Sequence, residues 1–534
     1  MIESEGMMTE DEEEPGSERT ATYRTFAEVQ ETLSPAEQRF ERVRRTSGLF
    51  AGPVAGIVVY FLCSGLDDPA QRLAGVLTWV IVYWISEAIP IPVTAMLAMC
   101  AVVAFGIAPA DEVFGSFASS TIFVFIGGFI IAESMRKHGL DRRFAFGILS
   151  IRGVSSSSVR IIIAFGAITA LLSGFVSNTA TAAMMMPIAA GIAGFIASMI
   201  GRQRGSAVDP QRLRFATALM LMVAYGASVG GLLTPVGSPP NLIGRAYLEE
   251  ELDITIPFFQ WMVLAAPLVL LMFLVLCVLL VALNRPEVKR IEGVDAYIRE
   301  EREKLGRMDV GGRNTLIAFF VAVTLWIIPG LVGLVTGGES SLYDTLLERL
   351  DEGAVAIIAA SLLFLLPISW GRREFTITWN DASNIDWGTI ILFGSGIALG
   401  GVLSSTGLAE SMGKSLSDLL GTEELVGITL LATVIAVIIS ETTSNTASVV
   451  VVAPIAAQLA VAADVNPAIP VVAAVFGASF GFMLPVSTPP NAIVYGTGMV
   501  PITKMLRSGL VFDVIGIVII VVGVTVMANL LGIG

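Results

Sequence analysis

Apolar runs long enough to cross a bilayer recur along this sequence, and they leave little freedom of fold. Gly48–Leu66, Phe258–Leu283, Asn314–Val335 and Leu510–Leu531 each reach the roughly 18 residues that a spanning helix needs. Inside hydrocarbon only helices and closed barrels satisfy their own backbone groups. Of the 534 residues, 54% are hydrophobic and 15% charged, against about 25% charged in an ordinary soluble domain. The expected fold class is therefore an all-α polytopic membrane protein.

Lys and Arg gather in cytoplasmic loops, so their placement predicts the topology. Arg42, Arg44 and Arg45 precede the first run and put the N-terminus inside. About eleven spans follow, near 48–66, 73–88, 92–108, 119–135, 213–250, 257–284, 314–335, 353–370, 387–406, 468–500 and 508–532. Two further apolar stretches have both ends on one side and read as re-entrant hairpins. The first, about 159–200, is flanked by Arg152, Arg160, Arg202 and Arg212 and opens to the cytoplasm. The second, about 423–465, is flanked by Glu423, Glu424 and Asp464 and opens outside. Residues 1–47 read as an acidic, disordered cytoplasmic tail. Residues 48–284 then form a first half, 285–313 a charged cytoplasmic linker, and 314–534 a second half.

Three landmarks occur twice in the same order. Phe125-Ile-Gly-Gly with Gly139-Leu140 matches Phe393-Gly-Ser-Gly with Gly407-Leu408. Ser173 with Ser177-Asn178-Thr179 matches Ser440 with Ser444-Asn445-Thr446. Gly226-Ala-Ser-Val-Gly with Ser238-Pro-Pro-Asn241 matches Gly477-Ala-Ser-Phe-Gly with Thr488-Pro-Pro-Asn491. Adjacent prolines cannot continue a regular helix, so the spans near 213–250 and 468–500 should be broken. With hairpins opening to opposite sides, the copies are inverted repeats, and such repeats place substrate and coupling ions at their interface near the midplane. Ser228 and Ser479 fit close helix packing. Asn178 and Asn445 are poor packers in hydrocarbon and point to function.

Several chemistries lack material. His138 is the only histidine, and Cys63, Cys100 and Cys277 stand far apart in apolar segments, so neither a His-based metal site nor a disulfide framework is expected. The Gly226-to-Gly230 pattern mimics a hydrolase elbow, but that motif needs a strand-to-helix turn and a His partner. Neither tip nor either Pro-Pro-Asn break contains Lys, Arg or His. They offer oxygen instead, which suits hard cations, and helix N-termini, which suit anions. Glu441, within the second hairpin, is read equally as a cation-tuning or proton-carrying group and as a backbone hydrogen-bond acceptor. Glu87, Glu133 and His138 read as interfacial.

Both Ser-Asn-Thr tips, both Pro-Pro-Asn loops, Glu87-Ala-Ile-Pro-Ile-Pro-Val-Thr and Asp386-Trp387-Gly388 resemble the divalent anion/sodium symporter family over roughly 50–500. The resemblance implies a homodimer with a scaffold and an elevator-type transport domain. It implies one sodium site at Ser173, Ser177, Asn178 and the Gly237 carbonyl, and another at Ser440, Ser444, Asn445 and the Ser487 carbonyl. Substrate carboxylates would meet Asn178, Thr179, Asn445 and Thr446, with Ser238, Pro239, Thr488 and Pro489 lining the loops. The expected function is sodium-coupled symport of a divalent anion, a C4-dicarboxylate or citrate. Sulfate symport and a proton-coupled or exchange carrier are the alternatives, with an intramembrane hydrolase and a passive channel as rivals of another class. Sodium ions are the coupling ions and no other cofactor is expected. The partners are the small anion, Na+, the lipid bilayer and a second copy of the chain, without nucleic acid.

Overall fold

A computed structural model describes residues 35–151, 153–154, 157–289, 294–336, 340–420 and 424–533. Most of the acidic tail, Arg152 and Glu423 lie outside the described residues. The first helix among the described residues is Pro35–Leu62, so the last part of the expected tail continues the first span. Arg44 and Arg45 reach Glu87 at 3.3 and 2.8 Å and fasten this helix to the turn after Asp68–Ser86.

Eight helices among the described residues are long and apolar enough to span, or nine when the bent pair Ala110–Ala118 and Ser120–Lys137 counts as one. Three of the eight, Asn178–Gln203, Leu425–Thr442 and Asn445–Ala462, belong to the expected hairpins, and several of the eleven expected spans are short or broken helices, such as Ile91–Ala104, Glu352–Leu365, Arg214–Gly230 and Ala468–Ala478. The chain is a multi-pass integral membrane protein.

Each expected hairpin is two helices with a short break at its polar tip. Ser158–Ser173 is followed by Asn178–Arg204, and Leu425–Thr442 by Asn445–Ala462. The expected broken spans are broken where the prolines stand. Arg214–Gly230 ends before a loop, and a second helix, Pro239–Leu252, starts on Pro-Pro. Ala468–Ala478 is likewise followed by Pro489–Tyr495. Proline costs nothing in those first positions, where the N–H has no helical partner. The packing repeats too. Each hairpin packs on the first segment of its own broken span, while each second segment lies against the return helix of the other hairpin.

The linker holds a helix, Val294–Lys304. A two-stranded antiparallel hairpin, Pro367–Ser369 with Glu374–Phe375, replaces the expected end of the span near 353–370. His138 is more than interfacial: its ring joins the Asp309 carboxylate and the Thr376 carbonyl, each at 3.0 Å. Lys137 pairs with Asp381 at 2.6 Å beside it. These contacts tie the end of helix Ser120–Lys137 to the linker, through Asp309, and to the second half, through Thr376 and Asp381.

Candidate functional site

At the first tip the chain leaves its helix after Ser173 and re-enters one at Asn178. The Ser173 hydroxyl meets the Asn178 side-chain oxygen at 2.7 Å. That corner of the amide also faces the carbonyl oxygens of Ala227, at 3.1 Å, and Gly237, at 3.3 Å, and faces no donor but the one hydroxyl. Turned the other way, the amide nitrogen donates to all three oxygens. That orientation satisfies the amide, and it gathers the Ser173 hydroxyl and the carbonyls of Ala227 and Gly237 around one side chain.

The second tip repeats the arrangement. Ser440 Oγ lies 2.8 Å from Asn445 Oδ1 and 2.7 Å from the Ala478 carbonyl. One hydroxyl hydrogen cannot serve both acceptors at once. The carbonyls of Ala227 and Ala478 occupy the same place in the two repeats. Carbonyls have no sequence signature, and the expected ligand sets omitted both.

Ser177 and Ser444 cap the return helices, their hydroxyls accepting from Ala180 N–H at 3.3 Å and Ala447 N–H at 3.2 Å. A hydroxyl oxygen has a second lone pair, so capping leaves each able to face an ion. Ser487 differs from Gly237 in carrying a side chain, and its hydroxyl lies 2.7 Å from the Glu441 carboxylate and 3.0 Å from the Glu441 carbonyl, able to donate to one at a time. Glu441 also accepts from Met483 N–H at 2.8 Å. Glu441 thus accepts from backbone, although that backbone belongs to the broken span and not to the hairpin. In the first repeat Gly174 stands in this place, and the Thr234 hydroxyl donates to its carbonyl.

The remaining expected residues lie on the two breaks and at the helix starts. Ser238 is buried and its hydroxyl has no partner among the described residues. Thr488 is buried and caps Asn491 N–H at 3.3 Å. Pro239 is half-buried and Pro489 exposed, while Thr179 is half-buried and Thr446 buried. Asn241 and Asn491 brace the breaks. Asn241 Nδ2 donates to the carbonyls of Gly231 and Thr234, both at 2.8 Å. Asn491 Nδ2 donates to those of Gly481, at 2.8 Å, and Leu484, at 3.0 Å. Space is tight: a Cβ on Gly231 would lie 2.1 Å from Asn178 Oδ1, and one on Gly237 only 2.6 Å from the Gly231 carbonyl oxygen. The Gly226-to-Gly230 pattern lies inside a helix, not on a strand-to-helix turn.

One basic side chain, Arg245, does lie on the second segment of the first broken span. It is buried and held by both oxygens of Glu352, at 2.9 and 3.1 Å, so its charge is already matched.

Comparison with known proteins agrees with this architecture. The family described as sodium:sulfate symporter transmembrane region matches residues 46–533. A sodium-dependent dicarboxylate transporter, SdcS, of Staphylococcus saprophyticus is 33% identical over 91% of this chain and 92% of its own length. SdcS of Staphylococcus aureus is 32% identical over the same shares. The solved structure of MtrF from Neisseria gonorrhoeae, titled as illuminating a class of antimetabolite efflux pumps, covers 86% of this chain and 95% of its own at a TM-score of 0.52. At 12% identity that likeness is one of fold alone. With its matched tips, matched breaks and this extent of similarity, the chain belongs to the sodium:sulfate symporter family.

Proposed function

We propose that this protein is a secondary active transporter that carries a C4-dicarboxylate, such as succinate, malate or fumarate, or citrate, together with Na+. The observation that carries the reading is the doubled Ser-Asn tip, Ser173 with Asn178 and Ser440 with Asn445, set beside helix breaks that contain no basic residue. One Na+ is held by Ser173, Ser177, Asn178 and the carbonyls of Gly237 and Ala227. The other is held by Ser440, Ser444, Asn445 and the carbonyls of Ser487 and Ala478. The substrate carboxylates bind at the starts of the two return helices, to Asn178, Thr179, Asn445 and Thr446. Ser238, Pro239, Thr488 and Pro489 line the loops. Helix N-termini favour anions, but two dipole ends fall short of a dianion's charge. The bound cations supply the rest, so the anion site is complete only after Na+ has bound.

The chain works as a homodimer with its N-terminus in the cytoplasm, and the hairpins and broken spans move together as the transport domain. Uptake of tritiated succinate into proteoliposomes, with an inward Na+ gradient or with choline, tests the reading. Uptake that requires the gradient and is competed by malate or citrate is expected. Uptake indifferent to Na+ contradicts symport, and competition by sulfate alone contradicts the substrate class.

A further inference from the structure

Three arginines that the function above does not use, Arg299, Arg302 and Arg307, line one open cavity in the linker. The cavity holds about 400 Å³, within the range of small-ligand sites, and Glu303 and Gly306 complete its lining. Arg299, Arg302 and Glu303 stand one turn apart on helix Val294–Lys304 and so share a face. Gly306, with φ +58°, turns the chain just past the helix and brings Arg307 to the same cavity.

None of the three guanidiniums has an ion pair or a hydrogen bond among the described residues. Nearby cations are matched: Lys304 pairs with Glu300 and Glu301 at 3.1 and 2.6 Å, Arg136 with Glu133, and Lys137 with Asp381. The chain carries 46 Asp and Glu against 32 Lys and Arg. Acidic partners are plentiful, yet here three arginines meet a single glutamate, a net formal charge of three less one.

The site is also preformed. Free carbonyls at the end of a helix repel anions, but Arg143 occupies those that follow this one. Its Nη1 donates to the Gly306 carbonyl at 2.8 Å, and its Nη2 to those of Leu305 at 2.6 Å and Arg307 at 3.1 Å. Two residues after Arg307, Asp309 accepts from Gly312 N–H at 2.8 Å and holds His138. The segment that bears Arg307 is thus fixed on both sides. Arg307 stands three residues before Val310–Thr336, a helix long and apolar enough to span, which sets the cavity at the membrane interface.

We propose that this cavity is a binding site for a phosphate group. Guanidinium forks pair edge-on with phosphate. A phosphate presents oxygens in several directions, enough for three arginines, whereas a carboxylate presents one edge. Basic pockets beside spanning helices bind anionic lipid headgroups, and a soluble phosphate offers the same chemistry. The site does not depend on the Na+-symport reading.

Binding to the purified full-length protein tests it with two probes. One is phosphatidylglycerol, measured against zwitterionic phosphatidylcholine by native mass spectrometry. The other is inorganic phosphate, measured by titration calorimetry at constant ionic strength. The wild type is compared with the triple variant Arg299→Gln, Arg302→Gln, Arg307→Gln and with Arg372→Gln, an exposed arginine that pairs with Glu374 elsewhere. The triple variant is expected to lose about tenfold or more in affinity for at least one probe, and Arg372→Gln to match the wild type. Loss for phosphatidylglycerol alone assigns a lipid headgroup; loss for inorganic phosphate assigns a site open to soluble phosphates. A triple variant that binds both probes as the wild type does overturns the proposal. So does a wild type that binds no inorganic phosphate and does not prefer phosphatidylglycerol. An equal loss in Arg372→Gln overturns it too, because overall charge and not the cavity would then be at work. Should the triple variant lose its monodisperse profile, Arg307→Gln decides, with a loss of about threefold expected and wild-type affinity refuting the site.

Discussion

At the scale of single residues, the proposed site depends on polar side chains, Ser173 with Asn178 and Ser440 with Asn445, set where helices break. Asn178 and Asn445 were legible in the sequence because an amide in a long apolar run has no packing reason to be there. The Ala227 and Ala478 carbonyls were not legible, since every residue has a carbonyl and only the broken helix decides which one is free to face an ion. Gly231 was silent for a related reason: its role is the absence of a Cβ beside Asn178. Gly231→Ala should displace the Asn178 amide and abolish Na+-dependent uptake while the protein still folds, as judged by size-exclusion profile and uptake together. Asn491→Ala removes both braces from the second break. Each buried carbonyl left unpaired costs about 1–3 kcal/mol, so the apparent Tm should fall by several degrees. An unchanged Tm would show that the loop holds without them.

At the scale of elements, the proline pairs predicted the breaks in the two spans, because prolines act locally. The contacts that join distant elements were not legible. Nothing near His138 in sequence announces Asp309 or Thr376, and the short β-hairpin after Leu365 has no strong strand pattern. Asp309 and Asp381 show what these contacts contribute. Partial burial works against ionisation of Asp381, but hydrogen bonds from Lys137 and Thr378 outweigh it and hold the carboxyl below its usual range. Asp309 is lowered in the same way, burial being outweighed by the Gly312 N–H and His138. A depressed folded value means that the stabilisation is present above the unfolded value of about 4 and is lost as pH falls through it. Asp381→Asn should therefore lower the apparent Tm at neutral pH and flatten its decline between about pH 5 and 3. A decline as steep as the wild type's would remove Asp381 from the account.

At the scale of the whole molecule, the two repeats interlock, each broken span lending its second segment to the other repeat's hairpin. The repeat itself could be read from paired motifs, but this exchange could not, because it depends on where the chain goes after each break. The Arg245–Glu352 pair fixes one of those segments against helix Glu352–Leu365, and Glu352 also accepts from Phe258 N–H at 2.9 Å. Removing one partner of a buried pair strands the other charge, at a cost of about 3–5 kcal/mol. Glu352→Gln should accordingly destabilise the purified protein strongly, and a thermal melt like that of the wild type would contradict this. The central claim is that bound cations complete an anion site that the protein's own charges leave incomplete. Equilibrium binding of tritiated succinate to purified protein, in NaCl or in choline chloride at equal ionic strength, tests it most directly. Saturable binding in NaCl that falls at least tenfold in affinity in choline is the predicted result; equal affinity in the two salts would contradict it.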